Sequence, residues 1–190
     1  MDLNILLHML YVPSQQNPAD APSRRLSFLG YTLTSEIWNE VQLRFGGEEG
    51  HSCDLMALDS NAMSNRLGCP LPHFTPYPSP CSIGVNLLAQ DLTQFFPVMQ
   101  HPYFLLPDVL VGPVLRVFQS FGQSCTVVVL DTYPRKYLWP LLQRFSRKAL
   151  KLAGAGDSQA LLFPSKKGWS SDSGILGDLW AFQIVFPLEL

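Results

Sequence analysis

The run Cys125-Thr126-Val127-Val128-Val129-Leu130 constrains the fold of this chain more than any other stretch. It is continuous, rich in β-branched side chains and bounded by polar residues. That pattern marks a strand covered on both faces, as in a parallel sheet with helices packed above and below. Downstream, Leu138, Leu141, Leu142, Phe145, Ala149 and Leu152 repeat at helical spacing, with Arg144, Arg147, Lys148 and Lys151 on the outer side. Upstream, Gly112 to Phe121 reads as a helix with Pro113 in its first turn, where a missing amide costs little, and Gly122 as its stop. Alternation of strand and helix is the signature of an α/β layer architecture.

Other segments fit that scheme. Thr34, Ser35 and Glu36 form a helix start, a hydroxyl to cap free amides and a carboxylate where the helix dipole favours it. Ile37, Trp38, Val41 and Phe45 share one face of that helix, and Gly46-Gly47 ends it. A short apolar strand then runs into a polar loop at Asp59, Ser60 and Asn61, and residues 62–82, rich in Pro, Ser and Asn, read as irregular. Ile83 to Leu92 is strand-like, with a helical reading of its later half left open. Ala160 to Ser165 and Asp178 to Phe186 are further strands, and Leu3 to Val12 is a short buried one stopped by Pro13.

Composition bears on what such a chain can do. With 47% hydrophobic and 15% charged residues it belongs among folding chains, although 16 prolines and 13 glycines predict long loops. The net charge of −2 divides unevenly, as residues 1–108 carry −6, residues 109–171 carry +7 and residues 172–190 carry −3. A basic segment between acidic ones is either a phosphate-binding surface or a self-complementary pattern. The four cysteines form no CxxC pair, and His51, Cys53, Cys69 and His73 have spacings that match zinc sites poorly, so no metal is expected there. Leu3 to Val12 followed by Ala19-Asp20-Ala21 has the outline of a secretory leader. Asp2 nevertheless stands where Lys or Arg belongs and His8 interrupts the run, so an intracellular chain, cytoplasmic or nuclear, is expected. No apolar stretch reaches the ~20 residues of a membrane span.

Two motif groups carry a family resemblance. Tyr11 to Arg25, reading YVPSQQNPADAPSRR, resembles the segment that closes ribonuclease H domains in retrotransposon polyproteins. The stretch from Leu33 to Asn61, then Gly84 to Leu92, Val109 to Leu115, Cys125 to Leu142 and Leu161 to Trp169, is similar to the region that follows ribonuclease H in tyrosine-recombinase retrotransposons of the DIRS and Ngaro type. That region is similar in turn to Dam-like adenine methyltransferases. The resemblance implies a ribonuclease H remnant over residues 1–30 and an incomplete, Rossmann-like α/β domain over residues 31–190, a mostly parallel sheet with flanking helices.

The resemblance also implies chemistry, most of it incomplete. Asp20 matches the last metal-binding carboxylate of ribonuclease H; its companions would precede Met1, and one carboxylate does not hold a two-magnesium site. Asp54, Ala57 and Asn61 match the D-x-x-A-x-x-x-N loop that helps to hold S-adenosylmethionine. The loop that should grip the target adenine falls at Tyr103 to Asp108, where there is one proline, no preceding Asn or Asp, and Asp108 in place of an aromatic. Without those groups, transfer loses its electrostatic and positioning terms. The expectation is a catalytically incomplete Pol fragment without a cofactor, magnesium or S-adenosylmethionine entering only if the family activity is retained. The alternative is a module binding DNA, RNA or an adenosine ligand, with Arg135, Lys136, Arg144, Arg147, Lys148 and Lys151 as the basic helix face toward phosphates. An active adenine N6-methyltransferase comes third.

Overall fold

The computed structural model describes residues 30–132, 137–165, 168–171 and 174–186. The strand expected at Leu3 to Val12, the motif containing Asp20, and Arg135 and Lys136 lie outside the described residues.

The centre is a five-stranded sheet in the order β2 (Cys53–Asp54), β5 (Pro102–Leu105), β6 (Cys125–Asp131), β10 (Asp178–Ile184) and β7 (Ser146–Ala153). β6 is the buried run that the sequence singles out, and Cys125 to Val129 are buried throughout. Side chains alternate across the sheet. Phe104, Val127, Val129, Phe182 and Ile184 face α2 (Asp108–Ser120) and α3 (Leu138–Phe145), while Tyr103, Leu105, Val128, Leu179 and Ala181 face α1 (Ser35–Phe45). A small sheet of β1 (Thr32–Leu33), β8 (Leu161–Ser165) and β9 (Gly168–Ser171) adds Leu33 and Leu161 to the α1 side. The pair β3 (Phe74–Thr75) and β4 (Gly84–Val85) lies in the long connection from β2 to β5. The α/β architecture and the helix over residues 35–45 are as the sequence indicates.

The sheet is mixed rather than mostly parallel. β2, β5 and β6 run parallel, whereas β10 is antiparallel to both of its neighbours. β7 therefore points the same way as β6, with the reversed β10 between them. Strand direction follows from where the connections return, which apolar runs do not encode.

Three local expectations are corrected. The helix expected from Gly112 begins earlier, at Asp108, with Pro107 as its cap residue, so Pro113 is its sixth residue and not in the first turn. Its ring removes the bond to the Val109 carbonyl, but Val109 is 74% exposed, where solvent can serve that oxygen. The hydroxyl of Thr34 does not cap α1; it donates to the Gln159 carbonyl at 2.8 Å and ties the helix start to the small sheet. Most consequentially, the helix expected from Leu138 to Leu152 stops at Phe145, and Ser146–Ala153 is the strand β7. Pairing with β10 from Ile184 to Leu179 supplies backbone partners that outweigh the helical spacing of Ala149 and Leu152. Within Ile83 to Leu92, Gly84–Val85 is strand and Leu87–Ala89 a 3-10 turn.

Gly177 sits where β10 enters the sheet, and a Cβ there would fall on the backbone carbonyl of Asp131. Because the obstacle is main chain, Gly177→Ala is expected to cost about 2 to 4 kcal/mol in urea unfolding. An unchanged midpoint would show that the β6–β10 junction yields more easily than this packing implies. Among the described residues no helix is long and apolar enough to cross a membrane.

Candidate functional site

Asp54 is the last residue of β2, level with Tyr103 of β5 and, through it, with Thr126 near the start of β6, so the chain leaves this edge strand early and β5 and β6 run on past it. The loop that follows returns so that Asn61 and Met63 come back beside it. The Asp54 carboxylate is 3% exposed and accepts the Met63 amide at 3.0 Å. Burial pushes its acid up to about 6, opposed by bonds from the Met63 and Met56 amides and by His73. The Asn61 carboxamide is also committed: its oxygen accepts from Leu58 N at 2.6 Å and its nitrogen donates to the Tyr31 carbonyl at 2.8 Å.

The two residues matched to the cofactor loop are thus neighbours, but Asp54 closes the loop and Asn61 both closes it and ties it to the chain ahead of β1. The space that they share with Tyr31, Thr32, Met63, Tyr103 and Leu105 is about 10 Å³, no more than a single water molecule requires. Within it the buried Tyr103 hydroxyl has no hydrogen-bond partner among the described residues. After β5, Leu106 is core and Pro107 and Asp108 begin α2, so the segment aligned with the base-gripping loop is used as a helix start.

Among the described residues the basic side chains of this set do not form one surface. Arg144 closes α3 with its guanidinium 5.5 Å from the Phe145 ring centre, and Arg147, Lys148 and Lys151 lie on β7. Lys148 is opposite Gln183 on the α1 side, where it donates to the Arg44 carbonyl at 2.9 Å and sits over the Phe45 ring. Lys151 is opposite Trp180 on the other face and pairs with Asp178 at 2.8 Å. Among the described residues β7 is an edge strand, and charged side chains with two register irregularities are how such edges resist pairing with other chains.

Two polar clusters were not legible as such. His51 is buried between α1 and β6. Gln42 Oε1 accepts from both the His51 amide, at 2.9 Å, and Nδ1, at 3.1 Å, which leaves Nε2 to accept from Thr126 Oγ1 at 3.0 Å. Desolvation first, then His101 and Arg66, press its pKa down to about 3, so the ring is neutral. His73 faces two acceptors, the Leu71 carbonyl at 3.1 Å and Asp59 Oδ1 at 2.8 Å, and Ser79 donates to the other oxygen of Asp59. Here the carboxylate lies between the histidine and the serine, the reverse of a hydrolytic triad, in which histidine is central. This cluster fastens the loop after β2. Neither histidine joins Cys53 or Cys69 in a ligand set, and among the described residues no three His, Cys, Asp or Glu side chains converge for a metal ion.

No family model, curated protein or solved structure matches the chain.

Proposed function

We propose that this chain is a catalytically incomplete piece of a retrotransposon Pol polyprotein, in which a Rossmann-like, methyltransferase-related module persists as a fold without its chemistry. The sequence resemblance from Tyr11 to Asn61 and from Gly84 to Leu142 supports the origin. The β5–α2–β6 unit, with parallel strands joined through a helix, agrees with a Rossmann-like ancestry.

The single observation that carries the loss of chemistry is the state of Asp54 and Asn61. Their polar atoms are taken up by the loop itself and by the Tyr31 carbonyl ahead of β1, and the adjoining space of about 10 Å³ is far below the ~300 Å³ at which pockets for small molecules begin. Titration calorimetry tests this with the full chain, S-adenosylmethionine and a short DNA duplex, at low and at physiological salt. Neither ligand is expected to give saturable heat. Cofactor binding tighter than roughly 100 μM would overturn the loss of the cofactor site and revive the methyltransferase-derived reading. DNA binding that weakens steeply with salt would favour the alternative, a nucleic-acid-binding module.

A further inference from the structure

We propose that the cleft on the far side of Met56 from Asp54 is a binding site for a neutral, flat heteroaromatic molecule of one or two fused rings. The cleft holds about 290 Å³ and lies just outside the carboxyl end of β2, between the β3–β4 pair and the first turn of α2. Leu55, Phe74 and Leu87 form its buried floor, Met56, Leu88 and Leu110 its half-buried walls, and the exposed Pro76 and Asn86 its mouth.

Three features select the ligand. No residue of the lining is charged, so an ionic ligand would lose its hydration without a counter-charge. The Phe74 ring can lie flat in the floor because residue 84 is glycine: a Cβ there would stand 2.5 Å from the ring. The polar groups are few and sit at one end, as in sites that orient an apolar ring by its edge. Thr75 gives its hydroxyl proton to the Tyr77 carbonyl, which leaves lone pairs to accept. Asn86, in a left-handed conformation at φ 52°, places a carboxamide that both donates and accepts at the mouth. Among the described residues it is the one non-glycine residue with positive φ.

The test uses the chain's methionines as reporters. Met56 lines this cleft and also borders the small space at Asp54, Met63 lines that small space and not the cleft, and Met99 is buried in the core. Chain labelled with ¹³C at the methionine methyls is titrated with indole, a neutral bicyclic probe. The expected result is a saturable shift of the Met56 methyl, with Kd on the order of 0.1 to 1 mM, while Met63 and Met99 stay in place. Leu88→Trp, which fills the cleft, should weaken binding at least about tenfold. Asn86→Gly keeps the backbone conformation, removes the carboxamide, and should weaken it about two- to tenfold. A Met56 methyl that does not move at millimolar indole overturns the proposal. So do shifts of Met63 or Met99 of equal size, or an affinity that neither variant changes. Because S-adenosylmethionine is tested separately, failure here leaves the proposed function standing, and the reverse holds as well.

Discussion

Asp54→Asn is expected to make the chain more acid-labile than the native protein, with unfolding free energies in urea at pH 7 and pH 4 as the measurement. Asp54 is buried and its acid is pushed from 3.8 up to about 6, so the folded state holds the proton more tightly than the unfolded one. Its contribution to stability therefore grows as pH falls from about 6 towards 3.8, by roughly 3 kcal/mol. His51 works in the opposite sense. Its pKa is depressed from 6.5 to about 3, so its contribution is complete above 6.5 and is lost as pH falls through that range, roughly 3 kcal/mol of it by pH 4. In the native chain the Asp54 gain offsets most of the His51 loss. Asparagine at 54 removes the compensating gain, so the loss between pH 7 and pH 4 should exceed the native loss by about 2 kcal/mol. His51→Gln should shift the slope the other way. Asp59 and Asp91, whose acids are lowered by hydrogen bonds, add the same acid sensitivity to every variant and drop out of the difference. Equal pH slopes for native chain and Asp54→Asn would mean that Asp54 titrates as an exposed carboxylate does, and that the loop after β2 opens.

The second large effect is expected at Phe182, in the middle of β10. Its ring is 1% exposed, meets Trp139 edge-on at 5.3 Å between centres and stacks on Trp180 at 6.2 Å. It stands beside Val127 of β6 and Ala149 of β7, in the one strand that joins them. Phe182→Ala removes that ring from a core that α2 and α3 close, and should lower stability by about 3 to 5 kcal/mol in urea or thermal unfolding. Leu176→Ala, a few residues away but 89% exposed, should change it by less than about 0.5 kcal/mol. If the two substitutions cost the same, β10 is not integral to the sheet, and β7 would lose the partner that makes it a strand.

Much of the fold was legible because local pattern and tertiary role coincide. Trp38, Val41 and Phe45 are spaced to face one way and do so, and Cys125 to Val129 are buried on both sides because the sheet has helices on both. The stretch after Phe145 shows where this ends. Ser146 to Ala153 suits a helical stripe as well as it suits a strand, and pairing with a segment some thirty residues later decided between them. The basic residues followed the backbone, so one apparent face became two sides of an edge strand.

The site divides in the same way. That Asp54 and Asn61 belong together was suggested only by the family resemblance, and that they use their polar atoms on Met63, Leu58 and Tyr31 was not legible at all. His51 gave no signal beyond being a histidine, since its partner Thr126 lies 75 residues away. The sequence by itself determined which runs are apolar, where β6 and α1 form, and where the loops fall, because these depend on side-chain periodicity and on glycine and proline nearby. The reversal of β10, the conversion of residues 146–153 to strand and the closure of the loop on Asp54 arise from long-range packing instead. Each of these depends on a hydrogen-bond partner that is distant in the chain or supplied by the folded backbone, which no local pattern specifies.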